Sequence, residues 1–154
     1  MGMTDRKHLD HITHEIIGAA IAVHDTFGPG LFEKTYIPPL MWELHDRGLR
    51  CLARVPLDLE YRGRRIANAY VIDVLVEDLV VVEVKSVQQI LPVHIAQAIT
   101  YVRLAEKPAG VLINFNVKRM VDGIRRVANE HPTKTNTHVV RAILAEPEKP
   151  DSAL

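Results

Sequence analysis

Asp73 in one apolar stretch and Glu83-Val84-Lys85 in the next put two carboxylates and an ammonium where burial disfavours charge. From Ala69 to Lys85, Val, Ile and Leu dominate outside the acidic pair Glu77-Asp78, a composition that predicts two central strands joined by a tight turn. A charge inside a central strand is costly unless it is paired, hydrogen-bonded or bound to a metal. Two carboxylates meeting at one point repel, and a hard divalent cation such as Mg²⁺, with water and a phosphate oxygen completing its shell, relieves the repulsion. A lysine beside them can orient or activate a water and stabilise charge growing on phosphorus. Together these residue types could perform metal-assisted phosphodiester hydrolysis.

Their juxtaposition depends on strand register. Side chains alternate across a strand, so Val81, Glu83 and Lys85 share one face. A two-residue loop of Glu77-Asp78 would pair Asp73 with Val82 and aim the two carboxylates at opposite faces. A three-residue loop, Glu77 to Leu79, or a β-bulge would pair Asp73 with Glu83. The alternative without chemistry is a buried Glu83-Lys85 ion network with Asp73 facing solvent. Periodicity alone leaves both open.

The elements that must position these residues are legible in outline. Leu9, Ile12, Ile16, Ala19, Ala20, Val23 and Phe27 recur at helical spacing and predict an amphipathic helix from about Asp5 to Thr26, ended by Gly28-Pro29-Gly30. A second helix is expected from about Leu31 to Arg47, with a kink or break at Pro38-Pro39. Alternation over Val55 to Tyr61 predicts a strand with one wet face, turned at Arg62-Gly63 into an antiparallel meander. Pro92 starts a crossover helix to about Leu104, and Val111 to Phe115 reads as a buried strand. The stretch from Val117 to Val127 fits a helical stripe as well as a turn at Asp122-Gly123 followed by a strand. Two regions are expected: a domain over 5–130, then an extension over 131–154 with a short strand at 138–144 and a disordered tail.

Composition narrows the function classes. The chain has 154 residues, enough for one domain with a core that needs no disulfide. Its 19 Lys and Arg balance 19 Asp and Glu, which argues against a protein that coats nucleic acid or an anionic membrane. Any nucleic-acid contact therefore falls to a local basic patch, Arg62, Arg64 and Arg65 or Lys118, Arg119, Arg125 and Arg126, although each group alone reads as a solvated surface. The lone Cys51 suits a reducing cytoplasm, and no stretch resembles a signal peptide or a membrane span. His8, His11 and His14 lack the accompanying ligands of a zinc site.

Asp73 with Glu83-Val84-Lys85 resembles the core signature of the PD-(D/E)XK nuclease superfamily, which includes many restriction endonucleases and DNA repair nucleases. Gly30-Leu-Phe-Glu33-Lys-Thr-Tyr36 is similar to the motif that names the bacterial GxxExxY proteins within it. The likeness runs from about Ile12 to Asn129, through Ile16 to His24, Leu91 to His94, Leu112 to Asn116 and Asp122 to Arg126. The resemblance implies a restriction-endonuclease-like α/β fold, a central mixed sheet flanked by helices. It also implies a Mg²⁺- or Mn²⁺-dependent nuclease acting on DNA or RNA, with Asp73, Glu83 and Glu33 as acidic metal-site groups and Lys85 as the catalytic lysine. Tyr36, Gln97 and Tyr101 would contact substrate or support the site. The chain departs from the family at Val71, where Arg is frequent, at Ile95, where an acidic residue is common, and at Pro38-Pro39. Against the enzyme stands a non-catalytic or homo-oligomeric binding scaffold that keeps the fold, a reading that the apolar piece His138 to Leu144, the 47% apolar composition and the lack of a basic stripe favour slightly.

Overall fold

Apolar side chains three and four residues apart give the first helix its buried face: in α1 (Met3–Phe27), Ile12, Ile16, Ala19, Ala20 and Val23 all turn inward. The structure, a computed structural model, describes residues 2–129. The strand expected at 138–144 and the tail after it lie outside the described residues. Gly28 and Gly30, at φ +63° and +103°, take backbone conformations that side chains resist, and they reverse the chain into α2 (Glu33–Asp46).

Of the kink or break expected at Pro38-Pro39, the break does not occur: α2 runs through both prolines. Each proline removes an N–H that would have bonded the carbonyl four residues earlier, at Lys34 and Thr35. Both of those positions are exposed, so water can take the place of the lost donors. The opposite face buries Tyr36, Ile37, Leu40 and Leu44 and holds the helix down.

Among the described residues five strands follow in the spatial order β1 (Cys51–Tyr61), β2 (Arg64–Val76), β3 (Val80–Lys85), β4 (Ala109–Asn114), β5 (Ile124–Ala128). Only β3 and β4 run parallel, and α3 (Pro92–Leu104) bridges them. This is the mixed, meander-bearing α/β sheet anticipated above. The stretch after Val117 resolves into a 3-10 turn, Met120–Gly123, and then β5, because residues 124–128 complete backbone pairing along β4.

Two apolar layers enclose the sheet. On one face α1 and α2 pack against Val74, Val76, Val80, Val82, Val84, Val111 and Ile113. On the other, Ala98, Val102 and Leu104 of α3 pack against Leu75, Val81, Leu112 and Val127. Gly110 allows that approach, since a Cβ there would fall 2.6 Å from a Val102 methyl. Alternation places Glu83 on the α3 side with Val81.

Candidate functional site

The β2–β3 turn decides the site. Val76 stands opposite Val80, Leu75 opposite Val81 and Val74 opposite Val82, so three residues, Glu77 to Leu79, make the loop and Asp73 comes opposite Glu83. The acidic pair that interrupts the apolar run pins this register from both sides. Glu77 accepts bonds from the Arg50 backbone N–H (2.6 Å) and guanidinium (2.9 Å), just before β1. Asp78 accepts from the buried Lys107 ammonium at 2.6 Å, just before β4.

At the Asp73–Glu83 rung each carboxylate reaches backbone on the neighbouring strand. Asp73 Oδ2 accepts from the Val84 N–H at 2.8 Å, and Glu83 Oε1 accepts from the Asp73 N–H at a longer 3.4 Å. Glu83 is only 4% exposed. Burial, and then the charge of Asp73, push its carboxyl up to about 9. Burial raises Asp73 as well, against the Val84 N–H and the charge of Lys85, which favour its ionised form. Metal-free and at neutral pH, the pair therefore keeps a proton on Glu83.

Lys85 lies two residues beyond Glu83 on the same face, half-buried. Its charge acts on both carboxylates, yet among the described residues its ammonium forms no ion pair. A closed Glu83-Lys85 network with Asp73 turned to solvent is thus not what the fold builds. Glu33, exposed in the first turn of α2, accepts from the Ser86 N–H at 3.4 Å beyond the end of β3, and its charge helps to raise Asp73. Tyr101 of α3 faces the pair from the other side, its hydroxyl raised by burial and then by the charges of Glu83 and Asp73. Gln97, one turn earlier on α3, is exposed, and its side chain has no hydrogen-bond partner among the described residues.

A family model of the PD-(D/E)XK nuclease superfamily matches residues 10–127, well over half of the chain. The chain belongs to this superfamily. No curated protein and no solved structure matches it.

PD-(D/E)XK nucleases typically use divalent metal ions, and the donor set here fits one. Asp73 and Glu83 are hard oxygen donors, and a dication would relieve their repulsion in place of the proton. Among the described residues no three His, Cys, Asp or Glu side chains gather closely enough to hold an ion, so Glu33 stands near the pair without completing a three-carboxylate cluster.

Tyr36 takes a different place from the other site candidates. It is fully buried, stacked on Phe115 at 4.2 Å, and its hydroxyl donates to the Gly28 carbonyl (2.7 Å) while accepting the Leu31 N–H (3.1 Å). It braces the turn that delivers Glu33 and does not face the carboxylate pair. Tyr36→Phe, which keeps the stack and strands the Leu31 N–H, is expected to cost about 1–2 kcal/mol in urea unfolding. An unchanged urea midpoint would remove this bracing role.

Sequence reasoning missed several supports. Tyr70 packs edge-on against Tyr101 at 5.2 Å. Ser86 donates from its hydroxyl to the Leu31 carbonyl at 2.7 Å and ties the end of β3 to the Glu33 turn. Buried Asn114, opposite Lys85, bonds both the N–H and the carbonyl of Val87 at 3.0 Å and closes the segment that leaves Lys85. The signals for Asn114 were a polar residue inside an apolar strand, as for Glu83, and its place in the family-like stretch Leu112 to Asn116. His94, whose Nδ1 accepts from the Leu91 N–H at 2.9 Å, is a helix cap.

Proposed function

We propose that this protein is a divalent-metal-dependent nuclease of the GxxExxY type that hydrolyses phosphodiester bonds of DNA or RNA in the cytoplasm. The observation that carries this reading is the register that sets Asp73 opposite Glu83, with the Lys85 ammonium, unpaired among the described residues, two positions on. Asp73 and Glu83 would hold Mg²⁺ or Mn²⁺, with Glu33 assisting. When bound, such an ion supplies Lewis acidity to a phosphate oxygen and acidity to a coordinated water.

The chain's own residues supply the rest. The Val84 N–H fixes the Asp73 carboxylate, and the wall of β3 and α3 excludes water from Glu83. Lys85, with no carboxylate bound to it among the described residues, can hydrogen-bond the attacking water and offset charge developing on phosphorus. Tyr101 and Gln97 border the place where a nucleotide would lie.

The test is a cleavage screen on single- and double-stranded DNA and RNA with Mg²⁺ or Mn²⁺, with Asp73→Ala beside the parent. Cleavage lost in Asp73→Ala is the expected result, and cleavage that survives unchanged would place the chemistry elsewhere.

The second reading, an oligomer-forming scaffold without catalysis, has one observation behind it. A largely apolar groove of about 1180 Å³ runs between α2 and the start of β1, lined by Ile37, Met41 and Leu52 and by Trp42, which is 67% exposed. A large particle mass together with no calorimetric Mn²⁺ binding would favour the scaffold. A small particle that binds Mn²⁺ favours the enzyme.

A further inference from the structure

The β1–β2 hairpin extends far past the rest of the sheet. β3 pairs with β2 only from Val74 to Val76, whereas β1 and β2 continue together out to Tyr61 and Arg64. Beyond Asp73 the two strands form a ribbon whose base rests on α3 through Val55, Leu57, Tyr70 and Ile72. From residue 61 to residue 68 every position is exposed. At about 3.3 Å per residue, the tip stands on the order of 30 Å from Asp73.

A free two-stranded ribbon is only marginally stable, and this one has a latch. The pairing shifts between Leu57 and Leu59, and Asp58, 1% exposed, fills the bulge. Its carboxylate accepts the Asn68 N–H at 2.8 Å and the Arg65 Nε–H at 2.6 Å. Arg65 is thereby committed to holding the arm. Arg62 and Arg64 are not, and among the described residues neither has an ion-pair partner. Tyr61, 62% exposed, lies beneath the Arg62 guanidinium at 5.2 Å.

The turn is built against local preference. Arg62 at φ +49° and Gly63 at φ +75° are the two central residues of a type I′ turn, where Asn-Gly or Asp-Gly is the ordinary choice. Within the described residues the Arg62 side chain has only its exposed contact with the Tyr61 ring to set against the strain of the left-handed region. By contrast, two members of the other basic group are already engaged: Arg119 pairs with Asp122, and Arg125 bonds the carbonyls of Asp122 and Ile124. Lys118 and Arg126 of that group are exposed and likewise have no ion-pair partner among the described residues, but only Arg62 and Arg64 stand at the end of a projecting ribbon.

We propose that the β1–β2 hairpin is an arm that grips double-stranded DNA about one helical turn from the site, with Arg62 and Arg64 on phosphates and the narrow tip entering the major groove. A two-stranded ribbon fits the B-form major groove, roughly 12 Å wide. The deep, narrow major groove of A-form RNA excludes it. A single strand offers no groove, and Tyr61 is the one exposed aromatic ring at the tip on which bases could stack. The inference deepens the nuclease reading and rests on it only for the purpose of the grip.

The test pairs Arg62→Asn with Arg64→Gln in the 154-residue chain and measures binding to a duplex DNA of about two helical turns by fluorescence anisotropy in EDTA, across a salt series. Asn suits the turn better than Arg, so the melting temperature is expected to hold or rise and a folding failure would not be confused with lost contacts. Duplex DNA binding is expected to weaken about tenfold or more, with the salt slope lower by about 2, close to 0.9 for each lost phosphate contact. Duplex RNA and single-stranded DNA of equal length should bind the parent more weakly and respond little to the substitutions. An unchanged affinity and slope would overturn the arm, as would an equal loss on all three nucleic acids or a changed particle mass, which would make the tip a protein contact. If the paired variant binds like the parent while Asp73→Ala abolishes cleavage, the arm is wrong and the nuclease stands. If the parent cleaves nothing but the paired variant loses duplex binding, the nuclease reading fails and the arm stands.

Discussion

Lys85→Ala is expected to slow cleavage by about 10²- to 10⁴-fold, the range that a positioned acid–base group or charge stabiliser supplies. Divalent-cation affinity at a fixed pH should not fall with it. The ammonium is a like charge to the cation and carries no donor oxygen, so its removal takes nothing from the binding set of Asp73 and Glu83. Asp73→Ala, in contrast, should lose cation binding and cleavage together. The contrast separates a residue that works on the reaction from one that shapes the metal site. Lys85→Met, which keeps most of the half-buried stem, guards against a packing effect. Cleavage that persists in both Lys85 variants at the parent rate would remove Lys85 from the mechanism. An equal loss of Mn²⁺ affinity, measured calorimetrically, would instead assign it a structural part.

The local pattern carried the fold further than it carried the site. Helical spacing in α1 and the Pro92 start of α3 are decided by neighbours within a few residues, and the structure places both near their expected bounds. The strand expected over Val55 to Tyr61 begins earlier, at Cys51, and its wet face is overturned at Asp58, which is buried because Arg65 and the Asn68 N–H bind its carboxylate at the register shift, while Tyr61 is exposed. Pro38-Pro39 leaves α2 unbroken because the local rule counts missing donors and cannot see that the stranded carbonyls belong to exposed residues. The stretch from Val117 to Val127 stayed ambiguous because its period serves two structures, and only pairing with β4 separates them.

The Asp73–Glu83 pairing was legible as a condition on one turn and not as a fact. What satisfies the condition is remote in the chain: Arg50, from before β1, holds Glu77, and Lys107, from before β4, holds Asp78. Neither basic residue had a motif or a period to mark it. Tyr36 illustrates the converse, since its motif spacing pointed to the site while its buried hydroxyl serves the Gly28–Leu31 turn. A motif position can thus matter by placing Glu33 without touching substrate. The hairpin turn was visible at Arg62-Gly63, but the length of the arm depends on where β3 stops, which no property of β1 or β2 reveals.

Glu83→Gln is expected to remove the pH dependence that the buried pair imposes on the metal-free protein. In the fold the Glu83 carboxyl holds its proton up to about 9, against an ordinary 4.5. Between those limits the folded chain keeps a proton that the unfolded chain has released, so stability falls as pH rises through the window and levels off above it. At about 1.4 kcal/mol for each pH unit separating the two states, the loss across the window is several kcal/mol. In EDTA the parent's melting temperature should therefore drop steadily from about pH 5 to about pH 9. The glutamine side chain cannot ionise, so the Glu83→Gln protein should melt higher than the parent at about pH 8 and show a much shallower slope. Mn²⁺ should act differently on the two proteins: it favours the ionised pair and should raise the parent's melting temperature most at high pH, with proton release on binding, while doing little for the variant. A parent curve that is flat in EDTA, or a variant that falls as steeply, would mean that the proton does not reside on Glu83. A Glu83→Gln protein that Mn²⁺ stabilises as fully as the parent would take Glu83 out of the metal site, leaving Asp73 to be tested alone.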